Sequence, residues 1–517
     1  MQHAFPSMKP TSRPLKPHWL LLLLVGIAGV VPTGGVLVEN WRGDRAWAAV
    51  ERELRSRGEP LDLAAFQTPP VPDERNYFKA PLLDRLLYAK RDDPENIRIL
   101  SEARFARLEV GWNFNDDIWT RYHRPGPGML TLNDPTGDLR LAQIRLLNAQ
   151  LITKPLSADP ATDILLAMQP AQALLDAVRQ AGAERPEAWL PLPVIPTLMP
   201  ANQRSLNFGL TQGFGQIVGS QARAEFALKP PSLQFGLMTA FGHILGGRAK
   251  AELALGRADD ALADVVGILG LFRAVQAAEP TPLNLLSAED LERTAANVLT
   301  TGLLRHSWNE SQLLAIAKQL SHSRSFSRLR QTLQFGRVQL NQMLDSPPVT
   351  NPLAGPNQPW PRWLIRGWAQ QNKVSNSQWV EEALATFDPA SGRIFPDRLK
   401  KLRQNTDLLS NSLSPFVWLT GPIVSNMSYT IAEIGVSENG LRETAAACAL
   451  ERYRLAHGGY PATLGELTPA FIAAVPEDVF TGQPLGYTRS PEGGFKLIAP
   501  AIIDLCNGRT WEQPGSP

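Results

Sequence analysis

A chain of 517 residues has room for two or three domains at the usual scale of about 100–200 residues each. With 44% apolar and 19% charged residues it can bury real cores, and a net charge of +2 argues against a dedicated nucleic-acid binder, which concentrates basic residues on one face. Its two cysteines, Cys448 and Cys506, exclude a disulfide scaffold, and with no CxxC pair they exclude a structural zinc site.

Residues 1–18 form a short basic N-terminus with Lys9, Arg13 and Lys16 and no acidic residue. The segment 19–38 carries an uncharged run from Leu20 to Val38. Nineteen residues at 1.5 Å each span about 28 Å, close to the hydrocarbon thickness of a bilayer. Trp19 and Trp41 flank the run, where indole rings favour the interface. This predicts a single-pass transmembrane anchor in the inner (cytoplasmic) membrane. The positive-inside rule keeps the N-terminus in the cytoplasm and places the bulk of the chain outside it. The strongest core, Leu20–Val31, also suits the h-region of a cleaved signal peptide, for which Ala46-Trp47-Ala48 offers an A-x-A site. A cytosolic protein with a buried N-terminal helix is the third reading.

Residues 39–137 read as a helical segment. An amphipathic helix reaches Gly58, a proline-rich connector "QTPPVPDERNYFKAPLL" follows, and 84–111 continue in helical style. The polar loop at 112–138 gathers Asn113, Asp116, Asp117 and His123, whose spacing matches no EF-hand loop and reads as solvated. Residues 138–345 form an α-helical body, irregular or repeat-like. Its clearest stretch, "HILGGRAKAELALGRADDALADVVGILGLFRAV", predicts helix, turn at Gly256, helix. Leu255, Ala261, Leu262, Val265, Leu269 and Phe272 make its apolar face, as in a tetratricopeptide hairpin. No partner recurs at a 34-residue period. His243, His306 and His322 sit on separate helices, and "GFGQIVGS" lacks the lysine and helix start that phosphate binding needs.

Residues 346–435 form a Pro/Trp-rich helical linker region. Within 349–379 stand four tryptophans with Arg362 and Arg366. They read either as a carbohydrate-stacking or membrane-interface surface, or as anchors, Trp363 and Trp368, onto the helical core. Residues 436–517 predict a small α+β unit. A long helix stops at Gly458-Gly459 and Pro461, "TLGELTPAFIAAVPED" gives a short helix ending at Pro476, and "TGQPLGYTRSPEGGFKLIAP" gives a β-hairpin turning at "EGG". In an oxidising compartment Cys448 and Cys506 are the pair available for a disulfide; the plainer reading makes Cys448 a buried small residue on a helix.

The terminal unit resembles the C-terminal half of the type II secretion major pseudopilin. The matching residues run from Ala449 to Pro461, then Leu464, Leu467, Val475-Pro476, Asp478, Phe480, Gly482, Pro484-Leu485 and Tyr487. Val479 stands where that family has proline, and no prepilin cleavage motif precedes the unit. Over nearly its whole length the chain resembles large membrane-anchored proteins of verrucomicrobial and planctomycete bacteria. The resemblance rests on "RGEPLDL…PPVPDERNY…PLL" (Arg57 to Leu83), "ALGRADDALADV", "RGWAQQNKV" (Arg366 to Val374) and "ACALERYRLAHGGYPATL". "GGFKLIAPAIIDLCNG" departs from that family's usual ending. The resemblance implies an organisation, with a pseudopilin-like fold as terminal domain, and no activity.

The sequence therefore predicts a mainly α protein: an anchored, extracytoplasmic interaction or scaffold protein with protein partners in the envelope. It offers no catalytic, cofactor-binding or metal site residues. The rival is an envelope hydrolase acting through paired carboxylates such as Glu109, Asp116 and Asp117.

Overall fold

The protein is mainly helical in a computed structural model, which describes residues 17–81, 83–84, 139–140, 142–143, 158–190, 235–320, 325–345, 362–412, 414, 416–417, 420–424, 427–490, 494–498, 503–504 and 509–510. The apolar run and the charged sequence after it form one helix, α1 (Pro17–Ser56). It ends where Gly58 takes φ +69°, a conformation glycine adopts without steric cost. Most side chains of the expected span, Leu20–Pro32, lie outside the described residues. Among the described residues no helix is long and apolar enough to cross a membrane.

The proline-rich stretch after α1 is built into the body. Asn76 pairs as an isolated bridge with Glu187, its Nδ2 donates to Trp189 O at 3.0 Å, and its Oδ1 accepts from Trp189 N at 3.1 Å. That clamp buries Tyr77 and Phe78 beneath the helices. Next come α2 (Pro160–Met168) and α3 (Gln172–Glu184). Asp159 caps α2 by accepting from Ala161 N at 3.1 Å, and Pro160 at the first helical position needs no donor there.

The predicted hairpin is present as α4 (Phe235–Ala254) and α5 (Ala258–Ala277), turning on Gly256 at φ +73°. Ala261, Val265, Leu269 and Phe272 are buried, with Leu255 and Leu262 packed at the margin. α6 (Pro282–Leu304), capped by Thr281, packs on both helices of the hairpin. α7 (Glu310–Leu320) and α8 (Ser325–Asp345) follow.

Within 346–435 stand α9 (Arg362–Leu384), a β1–β2 ribbon (Phe387–Asp388 with Arg393–Ile394), α10 (Pro396–Ser410) and the short α11 (Gly421–Val424). The sequence reading overlooked the ribbon, although "DPASG" turns on Gly392 at φ +62°. α12 (Met427–His457) starts nine residues before the expected boundary at 436. Its first half, with Ile431 and Ile434, packs in one core with α8, α9, α10, Val479 and Phe480. Its second half, from Leu441 through Leu450, packs in the other with α4–α7. The C-terminal unit thus shares both cores.

The short helix expected over "TLGELTPAFIAAVPED" is a single 3₁₀ turn, Leu464–Leu467. Thr463 and Glu466 close it with a capping box, and Pro469 has no N–H to carry it further. The hairpin follows as β3 (Gly486–Arg489) paired antiparallel with β4 (Phe495–Ile498), Tyr487 opposite Leu497. A two-residue pair, β5 (Ile503–Asp504) with β6 (Arg509–Thr510), comes after it.

Candidate functional site

Glu109, Asp116, Asp117, Asn113 and His123 lie outside the described residues, as do "GFGQIVGS", His322 and Cys506. The pairing of Cys506 with Cys448 is therefore not described. Cys448 is fully buried on α12, and desolvation pushes its thiol up to about 12. Among the described residues no group of three or more histidine, cysteine or acidic side chains is placed to hold a metal ion.

The buried ionisable groups hold the body together. Arg248 of α4 grips Asp264 of α5 with two bonds, Nε to Oδ2 at 2.7 Å and Nη2 to Oδ1 at 2.5 Å, and reaches Asp176 of α3 at 3.0 Å. Asp264 is the last aspartate of "GRADDALAD", so the motif's acid ties the two helices of the hairpin together while Asp176 ties them to α3. Beside it, burial together with the charge of Asp264 pushes the Glu252 carboxyl up to about 8. Across the body His243 Nε2 meets Asp290 Oδ2 at 2.6 Å, and Arg293 donates to Asp290 Oδ1 at 2.8 Å. Burial alone would raise the Asp290 carboxyl. The hydrogen bond and charge of His243, with those of Arg293, outweigh it and hold the group well below the usual carboxylate range. One residue away, burial and the charge of Glu438 push Glu289 up to about 7 against the nearby hydroxyls of Ser437 and Ser325.

In the terminal unit Glu451, from "ALERYR", is the hub. Its Oε2 accepts from Tyr460 OH at 2.8 Å and Arg454 Nε at 3.0 Å. Its Oε1 accepts from Arg454 Nη2 at 2.6 Å and faces His306 Nδ1 of the α6–α7 turn at 2.9 Å. Asp478 plays the same part at the other core. It accepts from Asn439 of α12 at 2.8 Å and from the backbone N–H groups of Phe480 and Thr481 at 3.0 and 2.7 Å. Glu451 and Asp478 are internal joints.

An outward-facing site lies between α1 and α9. The two helices run parallel and touch at their glycines: a Cβ on Gly43 would meet Gly367 O at 2.5 Å, and one on Gly367 would meet Glu39 O at 2.5 Å. Asn40 bonds the α9 backbone, Arg366 Nε donates to Asp44 at 3.0 Å, and the Lys373 ammonium lies 5.0 Å from the centre of the Trp47 ring while it pairs with Asp345. Farther along, Arg57 donates to Glu381 at 2.7 Å, and the fully buried Arg337 of α8 binds both Glu381 and Glu59.

At the start of this pairing a groove of about 260 Å³ opens, lined by Gly35, Val36, Glu39, Asn40, Leu364 and Trp368. Around it Leu37, Val38, Trp41 and Trp363 are exposed by 60, 58, 62 and 55%. The reading of Trp363 and Trp368 as anchors onto the core is corrected here: α9 turns its Gly367–Ala369 edge inward and leaves both indoles at the surface. Trp379 alone of the described α9 tryptophans is a core anchor, donating to Thr406 Oγ1 at 2.8 Å. Sequence reading missed Asn40, Gly43 and Gly367 as joints. The available signal was small residues on two helices, and it named no partner.

The chain matches no family model, no curated protein and no solved structure.

Proposed function

We propose that this protein is a membrane-anchored extracytoplasmic scaffold, with Leu20–Val38 of α1 in the inner membrane, the N-terminus in the cytoplasm, and the helical body available to envelope protein partners. One observation carries the reading: α1 is a single helix from Pro17 to Ser56, so the apolar run and the first helix of the body are one rod. The joints at Asn40, Gly43 and Asp44 favour an uncleaved anchor, because processing after Ala48 would remove every one of them from α9. A long helix, a capped turn and a hairpin in that order support the terminal unit as a pseudopilin-like fold reused in a larger chain. No observation favours the hydrolase, whose named carboxylates lie outside the described residues.

Crosslinking in intact cells, followed by capture through a C-terminal tag and mass spectrometry, tests the scaffold. A reproducible set of envelope or secretion components is expected, and a monomer with no partner in native membranes would overturn it. Protease added outside intact cells should leave Lys9 uncut. A mature N-terminus near Ala49 would end the anchor reading.

A further inference from the structure

We propose that the start of the α1–α9 pair sits in the headgroup layer of a lipid bilayer, where Leu37, Val38 and Trp41 of α1 and Trp363 and Trp368 of α9 form an interfacial belt of side chains at one level. The proposal rests on the anchoring reading and adds to it a second segment, more than 300 residues away in sequence, that touches lipid.

The register of the pair sets the height of each residue. Asn40 meets Trp363 and Gly367, Asp44 meets Arg366, Trp47 meets Lys373, and Arg57 meets Glu381, so the numbers rise together along both helices. α9 begins beside the last residues of the uncharged run, which ends at Val38. Asn40 stands two residues beyond that end, about 3 Å at helical rise. Trp363 is thus level with the edge of the run, and Trp368 reaches back into the groove beside Val36.

On α1 the residues facing α9 include Val36, Asn40, Gly43 and Trp47, which turns Leu37, Val38 and Trp41 away from α9. Exposed apolar groups on both helices thus stand at the height where the uncharged run ends. Indole at that level is the side chain the interface favours. Charge begins at the same height. Arg42 and Arg366 are exposed, the Arg45 guanidinium lies 5.7 Å from the centre of the Trp41 ring, and all three are within reach of lipid phosphates. The exposed apolar groups continue the uncharged run that ends at Val38, and the occupant such a continuation calls for is lipid.

The test uses the full chain carrying Cys448→Ala and Cys506→Ala, reconstituted in phosphatidylethanolamine–phosphatidylglycerol vesicles. Single nitroxide labels are placed at Leu37→Cys, Trp363→Cys and Ser56→Cys. Ser56 lies 18 residues past Val38 on the same helix, about 27 Å away. Accessibility to oxygen, which partitions into lipid, is compared with accessibility to a water-soluble nickel chelate. Labels at 37 and 363 should favour oxygen several-fold, and the label at 56 should favour the chelate. A water-exposed 363 with an immersed 37 would overturn the belt and leave the anchor standing. Water exposure at both would overturn the belt, and water exposure of a further label at Leu24→Cys would overturn the anchor with it. Immersion at 56 as well would mean that the pair lies flat, which also overturns the belt. Positions 37, 56 and 363 are exposed, and circular dichroism equal to that of the parent shows that labelling has not unfolded the chain.

Discussion

Asn40 and Gly367 are joined across two helices by a bond that α9 normally keeps for itself. The Gly367 N–H donates to Asn40 Oδ1 at 2.6 Å, while Asn40 Nδ2 donates to the carbonyl of Trp363, four residues earlier on α9, also at 2.6 Å. One amide thus meets both backbone groups of a single helical step. Asn40→Asp keeps the acceptor but sets a carboxylate oxygen against the Trp363 carbonyl. It should cost more than Asn40→Ala, at about 2–3 against about 1–2 kcal/mol. Urea unfolding of the full chain in detergent reads the difference, and a smaller loss in Asn40→Asp than in Asn40→Ala would mean that the Trp363 contact contributes little.

Gly43 has no room for a methyl group, since its Cβ would fall 2.5 Å from a backbone oxygen of α9. Gly34, on the same helix, has nothing within 4 Å. Gly43→Ala should therefore destabilise the pair by about 1–3 kcal/mol, whereas Gly34→Ala should be neutral within about 1 kcal/mol. Thermal unfolding of the two variants side by side gives the answer.

Glu451 holds four polar contacts from three parts of the chain. Glu451→Gln leaves Arg454 without its counter-charge and should cost about 3 kcal/mol. Tyr460→Phe removes one hydrogen bond to a charged acceptor and should cost about 1.5–3 kcal/mol. Burial would raise the Glu451 carboxyl, but Arg454, Tyr460 and His306 together lower it below 4.5. The stability it supplies is present above pH 4.5 and is lost as pH falls through the folded value. Denaturant midpoints across that acid range should converge for wild type and Glu451→Gln.

Glu289 and Glu252 work in the opposite sense. Their folded carboxyls are raised to about 7 and about 8 from 4.5, so each favours the protonated, folded state. Stability from Glu289 is complete below pH 4.5 and lost as pH rises through 7; for Glu252 the window extends to 8. Glu289→Gln should therefore raise the melting temperature at pH 8 and leave it nearly unchanged at pH 4, with a gain at pH 8 on the order of 3 kcal/mol. A gain of the same size at both pH values would show that Glu289 is already neutral or paired throughout.

Local rules were readable in the sequence where they act over a few residues. Gly256 with the apolar spacing of Ala261 and Val265 predicted the α4–α5 hairpin, and the alternating runs on either side of "EGG" predicted the β3–β4 pairing. The joints were not readable, because Arg248 names Asp264 only once two helices lie side by side, and Glu451 needs His306 from 145 residues away. The 3₁₀ turn at Leu464 was misread as a helix because Leu464 and Leu467 have helical spacing while Pro469 and the capping box limit its length. Trp363 and Trp368 show the same limit from outside. Aromatic composition cannot tell an anchor from a surface, and the deciding fact was which edge of α9 the glycine of α1 could approach.

The α1–α9 joint also sets a schedule for synthesis. Asn40 is separated from Trp363 by 323 residues, so at about 5–20 residues per second the first helix is made roughly 15–65 s before the segment that covers it exists. During that interval Gly43, Asn40 and Trp47 have no native partner, and whatever shields them is not this chain's own α9. A stall inserted before Arg362 would lengthen that exposure without altering a single folded contact. Loss of yield under such a stall would therefore report on the nascent protein's waiting time and not on the stability of its finished form.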